Sequence, residues 1–132
     1  MRALPLLLLL ALPPGALADA KADYLLHCRG CHLADGRGVP PEVPTLREEI
    51  GRLIATAEGR EYVVRVPGVA QTYLSDAALA AVLNWVLAEW NAETLPADFT
   101  PYTDEEIAAY RPRTLADPVR MRAGLETAES RP

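Results

Sequence analysis

The chain contains two cysteines, and a histidine directly follows the second one in the stretch Cys28-Arg29-Gly30-Cys31-His32. The spacing C-x-x-C-H is the signature of covalent haem attachment. Two thiols at this spacing can form thioethers with the two vinyl groups of a haem, and the adjacent imidazole can bind the iron. This stretch therefore predicts one covalently attached haem c, with Cys28 and Cys31 as attachment points and His32 as the proximal iron ligand.

Three other interpretations of the cysteine pair are less favoured. A redox dithiol is typical of a βαβ context, and no pattern of parallel strands follows the motif. A structural zinc site needs about four ligands, and the chain offers only Cys28, Cys31, His27 and His32. A disulfide across so short a loop would stabilise the fold little, because its effect grows with loop length.

The first eighteen residues have the pattern of an export signal. Arg2 supplies a positive charge, residues 4–12 are apolar, and residues 16–18 form an Ala-Leu-Ala cleavage site. The apolar run is shorter than the roughly twenty residues of a transmembrane helix, and the Pro-Pro-Gly of residues 13–15 interrupts it. We expect cleavage after Ala18, export to the periplasm and no stable insertion in the membrane afterwards.

The mature chain, residues 19–132, has the length of a single domain and is acidic. Removal of Arg2 leaves 12 basic and 18 acidic residues, which changes the net charge from −5 to −6. An acidic surface argues against nucleic acid and anionic membranes as partners. It suits a redox partner with a basic docking face, whose binding would weaken with salt, although the same acidity also serves solubility alone.

Helical patterns are clearest at the two ends of residues 19–92. Residues 20–31 predict a short helix that runs into the cysteine motif. Ser75 is placed to cap a longer amphipathic helix over residues 76–90. The apolar face of that helix carries Leu79, Leu83, Val86 and Trp90.

The middle and the end of the chain predict shorter elements. Three prolines within residues 39–45 predict an extended loop, and residues 46–57 predict a helix with Thr45 as its N-cap and Gly59 as its end. Residues 60–66 form a second short segment. Further on, Thr103 and Glu106 match a capping box that opens a helix to residue 110, and Pro118 begins about one more turn.

Together these features resemble the class I monohaem c-type cytochromes. The matching residues are Tyr24 ahead of the cysteine motif, a glycine-rich turn after it, and Pro44-Thr45-Leu46. The resemblance implies an all-α class I cytochrome c fold over residues 19–92, with crossing N- and C-terminal helices and haem-wrapping loops. Residues 93–132 would then be a C-terminal extension packed on that domain, with its last residues flexible.

The resemblance also implies roles for individual residues. The backbone carbonyl of Pro44 would accept a hydrogen bond from the second ring nitrogen of His32, which fixes the ring and makes it a more basic ligand. Leu46 would pack on the haem edge, and Tyr24 would meet an aromatic residue of the last helix, Trp85 or Trp90.

Arginine pairs bidentately with carboxylates, so Arg60 and Arg65 are candidates to bind a haem propionate. Solvated arginines are nevertheless the commoner outcome.

On the distal side of the iron the chain departs from that family. The usual methionine ligand precedes the last helix, and in residues 67–70 (Pro-Gly-Val-Ala) Val69 occupies its position. Valine cannot bind iron. Met121, the only methionine of the mature chain, is the distal candidate, although a packing role is favoured for it. Further candidates are Lys21, Tyr62 and Tyr73, whereas His27 is tied to the proximal side.

The resemblance implies an electron carrier rather than an enzyme, which passes electrons in the periplasm between a dehydrogenase or oxidoreductase and another redox carrier. The first alternative is a five-coordinate haem protein that binds NO, CO or peroxide as a binder or sensor. An apolar distal wall that includes Val69 lacks the acid–base group that peroxide activation needs. The second alternative is a haem subunit of a larger complex.

Overall fold

A computed structural model describes residues 19–129, and it consists of helices joined by loops. No strand occurs within that range, where the extended loop contains one antiparallel bridge between Val39 and Val43. The predicted all-α class is therefore confirmed. The expected signal peptide, residues 1–18, lies outside the described residues, as do the last three residues of the chain.

Eight α-helices and one short 3-10 helix make up the described part. In chain order they are α1 Ala20–His27, α2 Arg29–His32, α3 Glu49–Leu53, α4 Ala57–Arg65, α5 Pro67–Ala70, α6 Asp76–Trp90, the 3-10 helix Ala92–Thr94, α7 Asp104–Tyr110 and α8 Pro118–Glu129.

An aromatic contact joins α1 to α6. Tyr24 of α1 is completely buried, and its ring centroid lies 5.3 Å from that of Trp85 and 5.1 Å from that of Trp90. The two tryptophan rings meet edge to face at 5.0 Å, an arrangement that aromatic quadrupoles favour. The expected contact is present, and Tyr24 meets both tryptophans.

Helix α6 forms the centre of the apolar core. The Ser75 hydroxyl accepts a hydrogen bond from the Ala78 amide and caps the helix as predicted. The side chains that α6 buries belong to Leu79, Ala80, Val82, Leu83, Val86 and Leu87. Four of them pack with buried residues of α3 and α4, whereas Val82 and Val86 pack with Tyr24 of α1. One long helix thus organises the elements around it.

Asn91, directly after α6, connects three segments from a buried position. Its side-chain oxygen accepts from the Gly51 amide at 2.9 Å. Its amide group donates to the carbonyl oxygens of Leu46 and Val86, at 2.9 and 3.1 Å. Because buried backbone groups need partners, this one side chain fixes the start of α3 against the end of α6.

The elements between the cysteine motif and α6 differ from the sequence prediction. The helix predicted over residues 46–57 extends only over Glu49–Leu53, because the Thr45 hydroxyl accepts from the Arg47 amide in a local turn instead of capping a helix. Glu48 then adopts a left-handed φ of 64°, which no helical residue has.

Gly59, predicted to end that helix, instead lies inside α4. Thr56 caps α4, and its hydroxyl accepts from the Gly59 amide at 3.0 Å. A Cβ atom at residue 59 would stand 1.7 Å from the carbonyl oxygen of Leu53. The glycine therefore permits close packing of α4 on α3 and does not terminate a helix.

Residues 93–129 return across the core and are tied to it by arginines. Thr103 caps α7 as predicted, since its hydroxyl accepts from the Glu106 amide. The Glu106 carboxylate pairs with Arg60 of α4 through two hydrogen bonds of 2.5 and 2.8 Å. Helix α8, expected to be a single turn, is twelve residues long and packs against α4.

Arg111, at the end of α7, binds the segment between α5 and α6. Its guanidinium donates to the carbonyl oxygens of Ala70 and Leu74, each at 2.8 Å, and also to that of Thr72. It forms an ion pair with Asp76 at 2.8 Å. One side chain thus fixes the backbone that directly follows Val69.

Within residues 19–129, no helix combines the length and the apolar character that crossing a membrane would require.

The Asn91 hydrogen bonds predict a large and local stability effect. Asn91→Ala should lower the free energy of unfolding by about 2–4 kcal/mol, because it leaves a buried amide and two carbonyl groups without their partner. Chemical denaturation measures this change. Glu93→Gln, at an exposed position nearby, is the control and should change stability by less than about 0.5 kcal/mol. Equal effects of the two substitutions would contradict the role of Asn91.

Candidate functional site

A cavity of about 670 Å³ lies between α2, the proline-rich loop, α4, α5, α6 and α8. This volume is within the range of roughly 300–1,000 Å³ that is typical of cofactor and ligand sites. Most of its wall is apolar, and α6 alone contributes Leu79, Val82, Leu83, Val86 and Leu87. Such a cavity suits a bulky, mostly apolar group.

The residues predicted as cofactor contacts lie around this one cavity. They are Cys28, Cys31, His32, Pro44, Leu46 and Val69. They come from three separate segments of the chain, so their convergence depends on the fold as a whole. Their roles toward a haem stay predictions, but their placement fits the size and the apolar character of that group.

A hydrogen bond fixes the orientation of the His32 ring. Its Nδ1–H donates to the Pro44 carbonyl oxygen at 3.0 Å, which selects the neutral tautomer with a lone pair on Nε2. Burial lowers the pKa of His32; the Pro44 hydrogen bond opposes this shift, and the positive charge of Arg122 adds to it. A neutral imidazole with one nitrogen already hydrogen-bonded is the form that binds metals.

The glycine-rich turn makes the His32 contact possible. Gly38 has a left-handed φ of +64°, and a Cβ atom there would lie 2.5 Å from the carbonyl oxygens of Pro44 and Val43. Only glycine fits between the turn and this carbonyl without moving it. The Pro44 oxygen therefore reaches Nδ1 because residue 38 has no side chain.

Tyr24 fixes the turn that follows the motif. Its hydroxyl donates to the Leu33 carbonyl at 2.7 Å and lies 3.3 Å from that of His32. Leu33 has a φ of 60°, which is unfavourable for a branched side chain. Burial raises the pKa of Tyr24 to about 12, so the phenol stays protonated and able to donate.

The two thiols differ in their surroundings. Burial, with smaller contributions from Asp23 and Cys31, raises the pKa of Cys28 to about 11, whereas Cys31 is exposed. Both are free thiols and both line the cavity. Across residues 19–129, no three His, Cys, Asp or Glu side chains converge as a metal-binding group.

The distal candidates are placed very differently from one another. Met121 packs against the core cluster and is not among the cavity-lining residues, so its position lends no support to a role as iron ligand. Tyr73 is 99% exposed, and neither it nor Lys21 lines the cavity. Tyr62 is buried and does line it. Val69 contributes an apolar side chain there, close to Val66 in sequence.

The predicted propionate candidates, Arg60 and Arg65, do not reach the cavity. Arg60 pairs with Glu106 and lies over the ring of Tyr102, 4.1 Å from its centroid. Arg65 pairs with Glu61 at 2.6 Å and donates to a backbone carbonyl of the extension. Both expectations are therefore wrong, because each guanidinium connects α4 to a neighbouring segment.

A polar corner of the cavity was not predicted from the sequence. Arg122 of α8 lies there between Glu49 of α3 and Glu126 of α8. The spacing of Arg122 and Glu126, four residues apart on a helix, could have indicated the second pair. The contact with Glu49 spans 73 residues of chain and has no local signal.

A haem seated in this cavity would supply an iron centre that accepts and returns one electron. The chain itself has two thiols, an imidazole of fixed orientation and a mostly apolar wall around this cavity. Titratable side chains line the cavity mainly at the cysteine motif and at the polar corner, whereas α5 and α6 contribute none.

The chain is similar to two curated proteins, both named cytochrome c-552 and both from Thermus thermophilus. The first relative is 32% identical over 122 residues, which cover 76% of this chain and 82% of that relative. The second is 30% identical over 116 residues, which cover 74% of this chain and 88% of that relative. No protein-family profile matches the chain.

Gly38 offers a direct test of the geometry around His32. Gly38→Ala should destabilise the protein by about 2 kcal/mol or more, because alanine disfavours a left-handed φ and its Cβ collides with the Pro44 carbonyl. Thermal or chemical unfolding measures the loss. Gly30→Ala, inside the motif but with no atom within 4 Å of the added Cβ, is the matched control and should cost nothing. A Gly38→Ala protein as stable as Gly30→Ala would contradict the packing at this turn.

Proposed function

Because this chain belongs to the c-type cytochromes, we propose that it is a class I cytochrome that carries one covalently attached haem c and transfers electrons. It has the all-α fold of that class. His32 is the proximal iron ligand in this proposal, and Cys28 and Cys31 form the thioether bonds. Pro44 orients the imidazole, and Leu46 and Val69 contact the haem.

One observation carries the proposal, namely the hydrogen bond from His32 Nδ1 to Pro44 at the wall of a cofactor-sized cavity. This hydrogen bond leaves Nε2 as the ring nitrogen that can bind iron. The His32 ring lies on the same cavity wall as both thiols. A redox dithiol would need neither the cavity nor a histidine held in this way. The names of the two relatives agree with this assignment.

Electron transfer suits the walls of the cavity better than catalysis does. General acid–base catalysis needs a titratable group within hydrogen-bond reach of the reacting atom. On the segment that carries Val69, the lining residues Val66, Pro67 and Gly68 hold no titratable group. A mostly apolar wall instead suits an iron that changes oxidation state without proton transfer.

The place and the partner of the proposed electron transfer follow from the sequence alone. The export signal expected in residues 1–18 supports a reaction in the periplasm, and the acidic mature chain suits a basic docking face on a dehydrogenase, an oxidoreductase or a second carrier. The same negative charge is also compatible with a chain that is the haem subunit of a larger complex.

A second candidate function is the binding of small molecules such as NO or CO by a five-coordinate iron. The cavity wall favours this candidate, because no methionine occurs among the described residues that line it. Polarity and access on the distal side decide whether such an iron binds a ligand. This candidate keeps the same attachment and the same proximal histidine.

Two measurements on the haem-loaded, full-length protein test the proposal. Mass spectrometry under denaturing conditions should find one haem per chain, and a variant with both Cys28→Ser and Cys31→Ser should lose it. The reduced protein should bind CO slowly or not at all if it is a carrier in which a side chain fills the sixth iron position. Prompt CO binding at neutral pH would reject the carrier in favour of the second candidate, and a chain without bound haem would reject both.

The position of Val69 has its own test. Val69→Met should place a thioether at the expected distal position, and methionine ligation raises the reduction potential of a histidine-ligated haem. Val69→Leu fills similar space without a ligand atom and is the control. Spectroelectrochemistry should find a clearly higher potential for the methionine variant. Equal potentials in the two variants would show that residue 69 does not face the iron.

A further inference from the structure

The cavity wall carries a single cationic arginine or lysine among the residues that the structure describes, and it is Arg122. Arg122 belongs to α8, far beyond the segment that carries the cysteine motif. Its side chain is only 15% exposed. A nearly buried guanidinium must be paired, so the partners of Arg122 indicate which kind of group it binds.

Two carboxylates hold Arg122 from the solvent side. Its Nη2 donates to Glu49, and its Nε donates to Glu126 at 2.7 Å. The side chains of Glu49 and Glu126 are 42% and 53% exposed, whereas the arginine between them is largely covered. The buried phenol of Tyr62 is a further hydrogen-bonding neighbour of Arg122 and also lines the cavity.

The guanidinium retains capacity for another acceptor. Arginine has five N–H donors in a planar fork, and each of the two carboxylates takes one of them. The fork suits a carboxylate, and an anion inside an apolar cavity needs such a partner because desolvation penalises an unpaired charge. The two propionates of a haem are carboxylates, and Arg60 and Arg65 are committed elsewhere.

Resting on the function proposed above, we propose that Arg122 binds a haem propionate and raises the reduction potential of the iron. A fixed positive charge stabilises the reduced state, which carries one more electron than the oxidised state, and low surrounding polarity strengthens this effect. The C-terminal extension then forms part of the cofactor site. Glu49 and Glu126 act as positioning residues, since they hold the guanidinium.

The experiment compares reduction potentials in the haem-loaded, full-length protein. Arg122→Gln should shift the potential downward, because the cation next to the propionate is lost. Arg120→Gln removes the same charge from an exposed position on the same helix and should shift it several times less. Arg122→Lys keeps the charge but not the fork, and its potential should stay close to that of the parent protein.

An infrared measurement identifies the carboxylate. The redox-difference spectrum is recorded with haem labelled with ¹³C at its propionate carbons, so that haem and glutamate bands separate. The labelled bands should move in both Arg122→Gln and Arg122→Lys and stay in place in Arg120→Gln. If Arg122→Gln does not fold, the bands of Arg122→Lys decide.

The inference is overturned if the variants at residues 122 and 120 shift the potential alike, or if only unlabelled bands respond to changes at Arg122. In the second case a glutamate, and not a propionate, is the partner. A parent protein that holds no haem would instead refute the proposed function, so the two failures are distinguishable.

Discussion

The hydrogen bond between His32 Nδ1 and the Pro44 carbonyl is the contact on which the site depends. It closes the chain between the cysteine motif and the proline-rich loop, and it determines which ring nitrogen is left for a metal. Two neighbouring residues support this hydrogen bond. Gly38 leaves space for the carbonyl, and the Tyr24 hydroxyl holds the backbone directly after His32. Their common effect is an imidazole whose orientation the surrounding chain fixes.

The rest of the fold keeps a large apolar cavity beside that imidazole. Helix α6 supplies one wall, and Asn91 at its end holds α3 in place. Arg111 fixes the backbone after Val69 through three carbonyl groups, which removes freedom from the segment where a distal ligand would be expected. Helix α8 closes the cavity from outside the minimal domain. Two residues of the extension therefore contribute to the site. Arg111 fixes the backbone after Val69, and Arg122 lines the cavity.

Features that depend on residues close together in the sequence could be predicted, and contacts between distant residues could not. The cysteine motif, the Ser75 cap and the Thr103 cap are local chemistry, and the structure has both caps. The role of Pro44 could be predicted only through the resemblance, because a proline in a sequence does not indicate which donor its carbonyl binds. The short α3 was missed because Thr45 competes for the backbone in a local turn. The ion pairs of Arg60 and Arg122 join residues 46 and 73 positions apart, which no local pattern reveals.

The central claim is that His32 holds the iron of a haem in this cavity while no methionine binds from the opposite side. A crystal structure of the haem-loaded protein that resolves both axial positions of the iron tests it most directly. We expect His32 Nε2 on the iron, Nδ1 still hydrogen-bonded to the Pro44 carbonyl, and Val69 near the opposite face. The sulfur of Met121 on the iron, or an iron without His32, would contradict it.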